Sequence, residues 1–186
     1  MSVLILRPNS DSSVTQRRST GSDNYALVDE ETKDESDYCY VDSNANGGSE
    51  SLLDYYGLPN HTTESGTINS VTVKVYLKWV PIVGVDNFSQ YQLRIMMGGV
   101  AYNSPGTPNA ADTTTLYSYT WTVNPNNSPN AWTWTNIDDL LAGTYLHAGY
   151  FSGKNAGRTY NYQLWVEVDY TEGGGSPIVI PQIQIF

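Results

Sequence analysis

The side chains in this sequence that could break or make bonds are few. There are two histidines, His61 and His147, one cysteine, Cys39, and 19 acidic residues. His61 falls in the turn-like run Pro59-Asn60-His61-Thr62, whereas His147 falls in a strand-like run. No G-x-S-x-G elbow, H-E-x-x-H pair or phosphate-cradling glycine motif accompanies them, so neither histidine has an expected partner for acid–base or nucleophilic work. Cys39 stands alone, which excludes an intrachain disulfide and a cysteine-based metal site. Within Tyr38-Cys39-Tyr40-Val41 it reads as a small strand residue. Glu167 and Asp169 lie two apart in a strand and point the same way. A glycosidase needs two carboxylates facing each other across a sugar, and a same-face pair reads instead as a solvated surface. Seven acids crowd residues 29–42, offset only by Lys33. That run reads as a solvated loop, with a cation site as the sharper alternative. No catalytic residue, metal or cofactor is expected.

Aromatic residues offer a different chemistry. Tyr outnumbers Phe by 15 to 3, and five Trp are present. Trp132 and Trp134, with Tyr117, Tyr119 and Trp121 nearby, could give a sugar apolar platforms while Asn and Gln supply hydrogen bonds. Aromatic rows in a sandwich more often build core or interface. Trp79 and Trp121 are expected in the core. Trp165 falls on the opposite face from Leu164 and Val166, beside Glu167, so it is the expected interface residue.

The elements that must position these residues are strands. Val71, Val73, Val75, Leu77 and Trp79 alternate with Thr72, Lys74, Tyr76 and Lys78, the period-two pattern of a half-buried strand. Tyr91, Leu93, Ile95 and Met97 repeat it, and Gly98-Gly99 then turns the chain into Val100-Ala101-Tyr102. Tyr160, Tyr162, Leu164, Val166, Val168 and Tyr170 alternate against Asn161, Gln163, Glu167 and Asp169. Shorter strands are expected at 3–6, 24–28, 38–41, 51–56, 113–123 and 145–151, with residues 9–23 a polar loop. The one helix is expected near 136–142, capped by Thr135 or Asn136 and stopped by Gly143. Many strands without alternating helices predict an all-β, antiparallel β-sandwich, jelly-roll-like.

This sandwich is expected to span residues 1–172, followed by a glycine-hinged extended arm over 173–186. Gly173-Gly174-Gly175 is a flexible link, and Ile178, Ile180, Ile183, Ile185 and Phe186 make the arm apolar. A bare apolar strand is an aggregation hazard unless covered, so the arm is expected to add to a sheet edge of its own chain or of a neighbour.

The net charge of −10 disfavours nucleic acid as a partner. No segment has membrane-spanning length, and the N-terminus has no signal-peptide pattern. Three N-x-S/T triplets, at Asn60, Asn87 and Asn126, read as chance matches in so Asn- and Ser-rich a chain.

The runs Leu6-Arg7-Pro8-Asn9, Asn24-Tyr25 with Val28-Asp29-Glu30, Tyr117-Ser118-Tyr119-Thr120-Trp121, Asn124-Pro125, Trp132-Thr133-Trp134 and Val166-Glu167-Val168-Asp169-Tyr170 are carried through nearly the whole domain. As a set they resemble a family of virion structural proteins of tailed phages, archaeal viruses and proviruses. The resemblance stops at Thr171 and brings no catalytic residues. It implies a jelly-roll-like sandwich in a capsid decoration, tail or fibre-associated role. Its implied partners are copies of itself and a major capsid or tail protein. The implied location is the virion, assembled in the host cytoplasm and then released. A glycan-binding module and an extracellular filament subunit joined by strand donation are the alternatives.

Overall fold

A computed structural model describes residues 1–43, 48–81, 89–127, 130–149 and 157–173. The expected arm residues Ile178, Ile180, Ile183, Ile185 and Phe186 lie outside the described residues. Eleven strands form two antiparallel sheets: β1 (Ser2–Leu6), β2 (Ser10–Val14), β3 (Arg17–Arg18), β4 (Cys39–Asp42), β5 (Glu50–Gly57), β6 (Gly66–Pro81), β7 (Ser89–Met97), β8 (Val100–Asn103), β9 (Thr115–Trp121), β10 (Leu141–Ala148) and β11 (Gly157–Glu172). One sheet runs β3-β4-β11-β6-β9, with β1 also on β11; the other runs β2-β5-β10-β7-β8. From β4 onward the chain passes from one sheet to the other at almost every connection, and among the described residues only β7 and β8 form a local hairpin. This is the jelly-roll-like sandwich that the alternating patterns predict.

The two longest strands, β6 and β11, pair along their whole lengths at the centre of the six-stranded sheet. Val71, Val73, Val75 and Leu77 of β6 and Leu164, Val166 and Val168 of β11 are fully buried, facing Leu93, Ile95 and Leu146 of the other sheet. Each such aliphatic side chain contributes roughly 1.5–3 kcal/mol by leaving water. Trp79 and Trp121 join this core, as expected. Gly98 and Gly99 both adopt positive φ, which fits the two-residue turn between β7 and β8.

Four expectations are corrected. Residues 9–23 are not a plain loop, because β2 and β3 lie within them. Their polarity hides the strands: the partner of the segment is the buried carboxylate of Asp54 on β5. Its Oδ1 accepts from the backbone N–H groups of Thr15 (2.7 Å) and Gln16 (2.8 Å). Oδ2 accepts from Asn24 Nδ2 (2.7 Å) and the Tyr56 hydroxyl (2.9 Å). Gln16, also buried, donates to the Thr144 carbonyl and hydroxyl on β10. Second, residues 24–28 hold a 3₁₀ turn at Tyr25–Leu27 in place of a strand, with Val28 giving its carbonyl to the Leu164 N–H.

Third, the helix is α1 (Trp134–Asp138) and not 136–142. Thr133 is its N-cap: its hydroxyl accepts from the Asn136 N–H at 3.2 Å, and the Asn136 side chain accepts from the Thr133 N–H at 3.0 Å. Gly143 does not stop the helix. It sits within β10, where a Cβ would lie 1.9 Å from the Asp54 carbonyl oxygen. Fourth, the alternation of β11 is interrupted. A register shift between Asn161 and Gln163 puts Thr159 and Asn161 inward on one side of it and Leu164, Val166 and Val168 inward on the other. Thr159 and Asn161 accordingly bond Ser89 (2.7 Å) and Thr144 (3.3 Å) of the opposite sheet. Tyr160 and Tyr162 are displaced to the outer face, their rings parallel and 5.6 Å apart.

Candidate binding face on the six-stranded sheet

Burial sorts the aromatic residues. Trp132 is 5% exposed, and its indole N–H donates to the Trp121 carbonyl at 3.1 Å, so it is a core residue. Trp134 is half-buried and covered: His61 stacks on it at 4.9 Å, Tyr170 meets it edge-on at 5.2 Å, and its N–H donates to the Gly66 carbonyl. Their packing follows the core reading of aromatic rows, beside which the Trp132-Thr133-Trp134 run left a sugar platform as the alternative. Tyr117 and Tyr119 lie on the inner side of β9 against the core, with Tyr117 packed 4.4 Å from Tyr91. These rings pack against the core and between α1 and the strand ends.

Both histidines have partners that sequence spacing could not reveal. His61 Nδ1 meets Asp138 Oδ1 at 2.7 Å, a bond that holds the Asp138 carboxyl below its ordinary value. The pair ties the 58–65 loop to α1. His147 Nδ1 lies 2.7 Å from Ser51 Oγ, which also accepts from the Tyr145 hydroxyl at 2.9 Å. Burial pushes His147 below the usual histidine value and favours its neutral form. Cys39 is completely buried beside Tyr56 and Asp54, and burial drives its thiol far above the ordinary range. A thiol so protonated and enclosed is a packing residue.

The acidic run of residues 29–42 starts beside β11, where the Glu30 carbonyl accepts from Gln163, and ends in β4, which pairs with Arg158–Asn161 of that strand. Burial raises Asp29, raises Glu30 to about 7, and raises Asp37, with the neighbouring carboxylates adding to the last two. Among the described residues no three acidic, histidine or cysteine side chains are placed to hold a metal ion.

Trp165 lies where its phase in β11 predicts, half-buried on the outer face of the six-stranded sheet. Registry sets its neighbours. Trp165 pairs with Lys74 and Gln163 with Tyr76 on β6, while Glu167 is flanked by Ile5 of β1 and Thr72 of β6. An open groove of about 480 Å³ runs over Trp165, Tyr76 and Ile5 and is walled by Arg7, Glu31 and Lys33. The two rings lie 5.9 Å apart and are tilted by 36°. Glu167 Oε1 accepts from Lys74 Nζ (2.8 Å) and from the Trp165 indole (3.0 Å). Burial pushes that carboxyl up, but these two bonds hold it below its ordinary value, so it is ionised and engaged. Lys74 Nζ stands 5.9 Å from the Trp165 ring centre, and Lys33 Nζ stands 5.6 Å from that of Tyr76. Arg7 is fixed by donating to the Glu30 carbonyl at 2.7 Å. The groove is therefore aromatic at its base, polar at its rim and held by bonds already made.

Sequence reasoning found Trp165 but missed Tyr76, Lys74 and Arg7. The outward phase of Lys74 and Tyr76 in β6 was readable. That β11 lies beside β6 in the register setting Trp165 next to both was not.

No known family model matches this sequence, and no curated protein is similar to it. Some solved structures align with it at low identity and low TM-score. The module TmCBM61, in complex with β-1,4-galactotriose, aligns over 88% of this chain and 86% of its own at 8% identity and a TM-score of 0.40. The enzymatically active domain of bacteriophage CBA120 tailspike protein 4 aligns over 90% of this chain but 19% of its own, at 10% identity and a TM-score of 0.39. The CBM22-1 xylan-binding domain of Paenibacillus barcinonensis Xyn10C aligns over 90% and 94%, at 10% identity and a TM-score of 0.38.

Proposed function

We propose that this chain is a non-enzymatic structural protein of a virus particle, a capsid decoration or tail- or fibre-associated subunit that assembles through an open sheet edge. The observation that carries the reading is β1. This strand pairs with Val166–Tyr170 of β11 on one side, and among the described residues no strand pairs with its other side. Its outward side chains are apolar and bare, with Val3 56% and Ile5 50% exposed. Proteins that stay apart protect such edges with charge, proline or a bulge, and β1 has none of these within Ser2–Leu6. An extended segment from a neighbouring subunit would gain main-chain hydrogen bonds here, and Val3 and Ile5 would set its register. The apolar 178–186 stretch, beyond the described residues, has the alternating composition such a segment needs.

The resemblance of the sequence to virion structural proteins supports the same reading. So does the engagement of the chemistry-bearing side chains, since His61, Glu167, Asp54 and Cys39 are each committed to packing or to bonds within the chain.

The test is incorporation. Particles produced with the intact chain, with Ile5→Lys and with a chain ending at Gly173 are purified and analysed by mass spectrometry. Isolated chains are checked in parallel for native melting. The expected result is normal folding with reduced incorporation for both variants. Absence of the intact chain from particles, or equal incorporation of all three, sinks the reading.

A further inference from the structure

We propose that the groove over Trp165 and Tyr76 binds a neutral oligosaccharide, at a site that borders Ile5 of β1 but does not use that strand's open backbone edge. Four observations on the outer face point to that class of ligand.

The first is the rings. At 5.9 Å and 36° they do not cover each other's faces, and together they floor an open groove. A pyranose presents a face of C–H groups that packs flat on an aromatic ring, whereas its hydroxyls need partners at the edge. The second is the edge itself. Glu167 Oε1 already takes the Lys74 and Trp165 bonds, so the carboxylate is held in one orientation, and its Oε2 has no partner among the described residues. Gln163 is likewise anchored, through a hydrogen bond to the Glu30 carbonyl. Groups fixed before binding lose little freedom when a ligand arrives.

The third is charge. The chain carries −10, yet Arg7, Lys33 and Lys74 here stand against Glu31 and Glu167. A near-balanced groove on an acidic protein suits neither a polyanion nor a strongly cationic peptide. The fourth is what continues the floor. Across the sheet from Glu167 the register brings Thr72 and then Thr120, whose hydroxyls lie 2.8 Å apart, and across from Trp165 it brings Lys74 and then Ser118. Short hydroxyl side chains leave the face low and supply donors and acceptors, the surface that further sugar units along a chain would meet.

The experiment screens the full chain against an array of short neutral and acidic oligosaccharides and then titrates the best neutral binder calorimetrically. Trp165→Ala and Tyr76→Ala are expected to weaken binding by roughly tenfold or more, as truncation of a central aromatic anchor does. Trp165→Phe should retain most of it. Because removing a ring from a half-buried site also removes packing on β11, Ser118→Lys is the second probe: its site is exposed on β9, so the fold is spared while a long cation intrudes on the track. It should also weaken binding, with melting unchanged. Failure of every neutral sugar to bind, binding confined to acidic sugars and abolished by salt, or neutral-sugar binding indifferent to all four substitutions would each overturn the assignment. So would a change in self-association with Trp165→Ala in the absence of sugar binding. The two readings stay distinguishable through the chain ending at Gly173, which leaves every groove residue in place while removing the segment the incorporation test reads.

Discussion

Replacing Asp54 tests whether one buried carboxylate organises the N-terminal quarter of the chain. Asp54 has no solvent exposure and accepts from two backbone N–H groups, one amide and one hydroxyl. Burial pushes its carboxyl up, and the four donors partly offset that by favouring the charged form. Asp54→Ala removes the acceptor from all four: Gln16 N–H loses its side-chain partner outright, while Thr15 N–H keeps the Leu53 carbonyl, Asn24 Nδ2 keeps the Gln16 carbonyl and the Tyr56 hydroxyl keeps only the Cys39 sulfur. One such buried orphan costs about 1–3 kcal/mol. The four losses cannot simply be summed, because three donors keep a second partner and the segment can open locally and admit water, so about 4 kcal/mol is the working figure, in the range seen when a buried network is broken. With a urea slope of roughly 2 kcal/mol per molar, the midpoint should fall by about 2 M, read by tryptophan fluorescence. Asp54→Asn keeps one oxygen for the Thr15 and Gln16 amides but turns an NH₂ toward the Asn24 amide, so it should fall between wild type and Asp54→Ala. If Asp54→Ala shifts the midpoint by less than about 0.3 M at unchanged slope, the carboxylate is not what holds β2 and β3 to β5, and the reasoning is wrong.

Three further outcomes follow from the same packing. A Cβ on Gly157 would lie 1.6 Å from the Trp79 ring, so Gly157→Ala should cost about 2–3 kcal/mol and lower the melting temperature by roughly 5–10 °C, measured by calorimetry. Glu30 is raised from 4.5 to about 7, and Asp29 and Asp37 are raised too, so the folded state holds extra protons in that window. Stability should therefore be greater at pH 5 than at pH 7.5 by roughly 1–2 kcal/mol once the half-exposed position of Glu30 is discounted, and Glu30→Gln should flatten the slope; a stability that rises across that interval refutes it. Cys39, fully enclosed, should resist an aromatic disulfide reagent in the native state and react completely in denaturant.

Period-two patterns alone determined the long strands. In β6, β7 and the last half of β11, burying one face of aliphatic side chains leaves a single acceptable phase, and the phase also set Trp165 outward. Tertiary structure decided everything whose driving force comes from a distant partner. Ser10–Arg18 is polar and reads as loop because its stabilising partner, Asp54, is about forty residues away in sequence and buried. The Trp132-Thr133-Trp134 run looked like a sugar platform, since sequence shows which residues are aromatic but not which face of a ring is already covered. The Tyr160–Tyr162 displacement depends on a one-residue irregularity against β6 that alternation cannot announce. The groove joins Arg7, just past the end of β1, with Tyr76 of β6 and Trp165 of β11, and only the pairing of β1 and β6 on either side of β11 brings them to one place.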